Sequence, residues 1–103
     1  MIEHRVIYQR SDVATPWWHI YNRTRNAVLK EARRVNFIDT GLLLNEWRDI
    51  SEDYMTCTHY MQFQDQAALD QYHANSSVDE LRKLSNAYCQ ANNITYTTAT
   101  EVK

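Results

Sequence analysis

At 103 residues the chain fits a single domain, and surface scaling lets roughly two thirds of its unfolded surface be buried, enough for one modest core. One Gly, one Pro and 44% hydrophobic residues exclude a flexible linker or a disordered tail, and leave too few turn formers for an all-β sandwich. Eleven Lys and Arg against thirteen Asp and Glu give a net charge of −2, with no basic surplus for nucleic-acid phosphates, and no stretch nears the roughly 20 apolar residues of a membrane span.

Ile2 to Arg10 reads as a strand, with Val6, Ile7 and Tyr8 as β-branched and aromatic members. It begins without the apolar h-region of a signal peptide, and a cytoplasmic location is the expectation. Thr15-Pro16 has the form of an N-cap followed by proline at the first helical position. Trp17, Tyr21, Val28, Ala32 and Val35 then recur at helical spacing and predict one amphipathic helix over 16–35. Its cations Arg23, Arg25, Lys30, Arg33 and Arg34 read as a solvated face, favourably placed toward the C-terminus.

A second strand is expected over 40–50, a hairpin turn at Ser51-Glu52-Asp53, and a third strand over 54–64. The third strand alternates, with Met55, Cys57, His59, Met61 and Phe63 on one face and Tyr54, Thr56, Thr58, Tyr60 and Gln62 on the other. A two-residue loop would set Leu44 opposite His59 and Leu42 opposite Met61. Asp65 caps a second helix, Asn75-Ser76-Ser77 interrupts it, and Ser77-Val78-Asp79-Glu80 matches a capping box that restarts it. Val78, Leu81, Leu84, Tyr88 and Ala91 form its expected buried stripe, and 94–100 is the last strand.

The order β-α-β-β-α-β is the split βαβ arrangement, an α+β fold with two helices on one face of a four-stranded antiparallel sheet. The uncovered face would hold Leu43, Trp47, Tyr54 and Tyr60, together with either Thr95, Thr97 and Ala99 or Ile94, Tyr96 and Thr98. Such a face is too apolar to leave in water, and a second copy of the sheet is its simplest cover. The expected partner is therefore the chain itself, as a homodimer, with neither nucleic acid nor membrane.

The run from Tyr60 to His73 resembles the strand-to-helix junction of the dimeric α+β barrel superfamily, which includes antibiotic-biosynthesis monooxygenase-like, EthD-like and NIPSNAP-like ferredoxin-like domains. The residues that carry the resemblance are Phe63, Asp65, Ala68, Tyr72-His73 and the polar break Asn75-Ser76-Ser77. The resemblance implies two sheets facing each other in a barrel. It also implies a helix–sheet cleft in each protomer that takes hydrophobic, often aromatic, small molecules. Enzymatic relatives include cofactor-free oxygenases and haem-degrading enzymes. Other families of the same topology fit less well. The third strand lacks the basic-Gly-aromatic run of an RNA-recognition module, and Ser11-Asp12-Val13-Ala14-Thr15 lacks the Gly and Arg of an acylphosphatase-like loop.

Two histidines are the candidate catalytic groups. His59, between Cys57 and Met61, is either a base in the cleft or a hydrogen-bonded core histidine. His73, beside the helix break, is a ligand candidate by resemblance, or a surface group at a helix end. Trp17, Trp47 and Tyr72 are the expected ligand-lining residues, with Trp47 and Asn45 facing either a ligand or a partner sheet. Neither a metal nor a cofactor is expected: Cys57 and Cys89 have no metal-ligand spacing, and the four histidines are scattered. The expected function is binding, and cofactor-free oxidation, of a small hydrophobic or aromatic compound. The alternative is a non-catalytic dimeric structural or interaction module.

Overall fold

In the computed structural model, which describes Met1–Lys103, strand β1 (Ile2–Arg10) runs through the middle of a four-stranded antiparallel sheet of order β2-β3-β1-β4. Its neighbours are β3 (Thr56–Phe63) and β4 (Ile94–Val102), and β2 (Leu43–Ile50) lies at the edge beside β3. The helical segments all lie on one face, so the molecule is a slab of 36 × 31 × 17 Å. This is the ferredoxin-like α+β architecture expected from the element order.

The bounds of β1 agree with the sequence reading; the first helix does not. In place of one helix over 16–35 there is a short α1 (Trp18–Tyr21), a 3-10 turn at Asn22–Thr24, and α2 (Ala27–Arg33). Asn26, at φ 57°, is the left-handed residue that breaks the run. A π-helical turn at Arg34–Ile38 then widens the end of α2, through a bond from the Asp39 N–H to the Arg34 carbonyl. Both events re-phase the helix. Val28, expected on the buried stripe, is 82% exposed, whereas Phe37 enters the core. The helix also starts two residues after Pro16, with Trp17 rather than Thr15 at the N-cap.

The β2–β3 pairing is offset by four residues from the two-residue hairpin. Arg48 lies opposite His59 and Glu46 opposite Met61, because Ser51 to Met55 make a longer loop in which Tyr54 takes φ 62°. Because four is even, the faces survive the offset, except where a bulge lies between Leu43 and Asn45. The bulge turns Leu43 inward to 4% exposure and leaves Leu44 46% exposed, the reverse of the expected alternation. On β4, Thr95, Thr97 and Ala99 pair with Gln9, Ile7 and Arg5, which puts them on the uncovered face.

The break in the second helix stands as read: α3 (Gln66–Ala74) gives way to α4 (Ser76–Ala91). The Asp65 carboxylate accepts from the Ala68 N–H at 2.9 Å. Asn75, not Ser77, caps α4, accepting from the N–H groups of Ser77 and Val78 at 3.0 and 3.1 Å. The inward face of α4 is Val78, Ser85 and Cys89, while Leu84 faces out. Phe63, Leu69, Tyr72, Met61 and Phe37 fill the main core, and Trp17, Cys57, Cys89 and Ile94 a second, smaller one. Both thiols are free and buried.

Candidate functional site

A cavity of about 680 Å³ lies between the helices and the sheet. Period-two alternation puts His4, Val6 and Tyr8 of β1 and Cys57, His59 and Met61 of β3 on its floor. Trp17 and Trp18 from the start of α1, Tyr72 and His73 from α3, and residues of α4 close it from above. Trp17 is fixed there by the Arg10 guanidinium, 4.2 Å over its ring. A mostly apolar concavity of this size with a few convergent polar groups is the usual form of a small-molecule site.

The polar groups converge on Glu46. Its Oε1 lies 2.6 Å from His59 Nε2 and 2.5 Å from the Arg33 guanidinium. Arg33 Nε in turn donates to the Tyr72 hydroxyl oxygen at 2.8 Å. The π turn helps present Arg33, as it lies immediately after that residue and draws Phe37 into the core. Burial alone would push the Glu46 carboxyl up, but His59 and Arg33 outweigh it and pull it down to about 2, so it is a carboxylate.

His59 is held below its ordinary value by burial, which outweighs the raising effect of Glu46. The ring is neutral, its Nε2–H donates to Glu46, and its Nδ1 makes no hydrogen bond within the chain. That lone pair is available to a cavity ligand, and the Glu46 carboxylate stabilises the imidazolium formed if it takes a proton. Burial works against the Arg33 charge, but Tyr72 and Glu46 keep it protonated. The Tyr72 phenol is raised, chiefly by burial, and stays neutral.

The remaining histidines also line the cavity. His4 donates to or accepts from Thr100 Oγ1 at 2.7 Å and packs edge-on against His73, ring centres 5.1 Å apart. His19 is pushed down to about 4, first by burial and then by the charge of Arg48. Burial raises Cys57 and Cys89, so neither is a reactive thiolate. No three His, Cys, Asp or Glu side chains converge as a metal site.

Of the residues singled out in the sequence, the cavity thus gathers His59, His73, Trp17 and Tyr72. His73 is an exposed group at the rim and does not touch the Glu46 centre. Trp47 is elsewhere: it points from β2 to the uncovered sheet face and stacks on Tyr60, with centres 4.9 Å apart and planes 9° from parallel. It lines no part of the cleft. Arg33, Glu46 and Arg48 escaped the sequence reading. Glu46 and Arg48 share the parity of Leu44, which that reading placed under the helices, and two charges on a covered face were the available signal.

No protein-family model matches the chain, and no curated protein matches it. Solved structures do. An antibiotic biosynthesis monooxygenase is 15% identical, with TM-score 0.61 over 100% of this chain and 98% of that one. SnoaB, a cofactor-independent oxygenase from Streptomyces nogalater, is 7% identical at TM-score 0.67, over 99% and 91% of the two chains. A dimeric ferredoxin-like protein from an uncultured marine organism is 12% identical at TM-score 0.66, over 99% and 94%. At these identities the likeness is one of fold.

Proposed function

We propose that the chain is a homodimeric α+β barrel protein whose helix–sheet cleft binds a planar hydroxyaromatic compound, with His59 as the base that takes its phenolic proton. The observation that carries this reading is a neutral imidazole, backed by a carboxylate, in the wall of an apolar cavity of about 680 Å³. The oxygenase named among the structural neighbours supports oxidation as the chemistry that follows. Deprotonation by His59 Nδ1 makes an electron-rich phenolate. With one O2 a phenol gives one quinone and one water. The ring supplies all four electrons, one oxygen atom becomes the new carbonyl and the other leaves as water.

The dimer rests on the uncovered sheet face. It carries the Trp47–Tyr60 stack with Ile7 and Ala99, and its charges are already compensated within the chain. Arg5 and Lys103 pair there with Glu3 and Glu101. Apolar side chains among self-neutralised charges suit burial against a second copy.

The test uses 1-naphthol. Binding should quench Trp17 and Trp18 emission and saturate at one ligand per chain, and an oxygen electrode should register one O2 per naphthol consumed. His59→Leu should abolish the uptake of oxygen while leaving the fold intact. Quenching without oxygen uptake would leave a binding protein, and absence of both would leave the non-catalytic dimeric module.

A further inference from the structure

The chain as a whole is slightly acidic, but its cavity is not. Of eleven Lys and Arg, five line it (Arg23, Lys30, Arg33, Arg48 and Arg82), while of thirteen Asp and Glu only Glu46 does. Three of the five cations are already engaged. Arg33 is paired with Glu46, Arg82 with Asp79, and the Lys30 ammonium donates to the carbonyls of Asn22 and Arg23.

Arg23 and Arg48 differ: neither side chain makes a hydrogen bond or an ion pair within the chain, and both face the same cavity from different elements. Arg23 comes from the 3-10 turn and Arg48 from the helix-facing side of β2, opposite His59. His19, from α1, lies between their influences without a hydrogen-bond partner of its own, and both cations act to lower its basicity. The charge of Arg48 is felt further, at Tyr8, Cys57 and His59. Two unpaired guanidiniums over one apolar cavity repel each other and concentrate positive potential there, an arrangement that an anion relieves.

We infer that the cleft selects an organic anion: a planar aromatic body in the apolar cavity, with a carboxylate or similar acidic group held between Arg23 and Arg48 beside His19. This rests on the aromatic-binding reading above and narrows it to a hydroxyaryl carboxylate. Guanidinium matches such a group in planar, two-point fashion, with the aromatic rings of Trp17 and Trp18 nearby for the ligand body.

The pair of 1-anilinonaphthalene-8-sulfonate and N-phenyl-1-naphthylamine tests it, because they share one body and differ in the anionic group. The sulfonate should bind at one per chain and about tenfold more tightly than the neutral amine, the scale of one charge-assisted hydrogen bond. Raising salt from about 0.1 to 1 M should weaken the sulfonate and spare the amine. Arg48→Ala and, separately, Arg23→Ala should each weaken the sulfonate several-fold and leave the amine unchanged. Both side chains are exposed and unpaired, so the variants should fold. In competition, 1-naphthoate should displace the sulfonate at about a tenth of the concentration 1-naphthol needs. Equal binding of sulfonate and amine, or a sulfonate affinity indifferent to both substitutions, would overturn the anion inference and leave the aromatic cleft standing. Failure of both probes to bind would overturn the cleft reading as well.

Discussion

Replacing Glu46 by glutamine keeps the shape of the side chain and removes its charge from between His59 and Arg33. In the folded protein the carboxyl sits at about 2 against an ordinary 4.5. At about 1.4 kcal/mol per pH unit, that difference makes the carboxylate worth about 3 kcal/mol of stability. The side chain is 19% exposed, so solvent screening removes little of this. Because the folded value is the depressed one, the contribution is fully present above 4.5 and is lost as the pH falls toward 2. Urea unfolding followed by tryptophan emission should therefore show Glu46→Gln about 3 kcal/mol less stable at pH 7, with the gap narrowing to about half by pH 3. A gap that stays constant down to pH 3, or one below about 0.5 kcal/mol at pH 7, would refute the assignment of Glu46 as the ionised hub of the site.

Three further outcomes are expected. Burial holds His4, His19, His59 and His73 all below their ordinary value, so the unfolded chain takes up protons first. Stability should fall as the pH drops from 6.5 toward 4, and in acid titrations His19→Gln should remove part of that slope. Gly41 has φ 76°, and a Cβ there would meet nothing closer than the Gln64 side chain at 3.9 Å, so Gly41→Ala should cost only the left-handed backbone penalty, about 1 kcal/mol by thermal melt. Trp47→Glu puts a charge into the uncovered sheet face. Sedimentation should then change from twice the 12.3 kDa chain mass to the single-chain mass, with the near-ultraviolet signature of the cleft tryptophans retained.

What could be read from the sequence follows the range of the interactions. β1, the Asp65 cap and the break at Asn75 are local, written in β-branched runs and capping oxygens, and they stand in the structure. The β2–β3 register is not local. It depends on a five-residue loop with Tyr54 left-handed, which nothing in Ser51-Glu52-Asp53 announces, and on a bulge at Leu44. The first helix misled for a related reason: the apolar spacing of Tyr21, Val28 and Val35 is helical, but tertiary packing broke the helix at Asn26 and rotated what followed.

That rotation is why Arg33, read as part of a solvated face, has a side chain only 17% exposed and bound to Glu46. Half of the candidate site, His59 with Tyr72 and Trp17, was visible as histidine and aromatics on inward positions. Its charged half required the register first, since Glu46 and Arg48 gain meaning only when known to lie across from Met61 and His59.

All four histidines of the chain line the one cavity, while Trp47 lies on the opposite face of the sheet. The imidazole nitrogens are thus a built-in reporter for the central claim, that this cleft receives an aromatic ligand against His59. A titration of 15N-histidine-labelled protein with 1-naphthol should move the His59 and His19 signals together, to saturation at one ligand per chain, with the Trp47 indole signal unmoved. Imidazole signals that stay still, while the Trp47 indole shifts, would place the ligand on the sheet face and contradict the account.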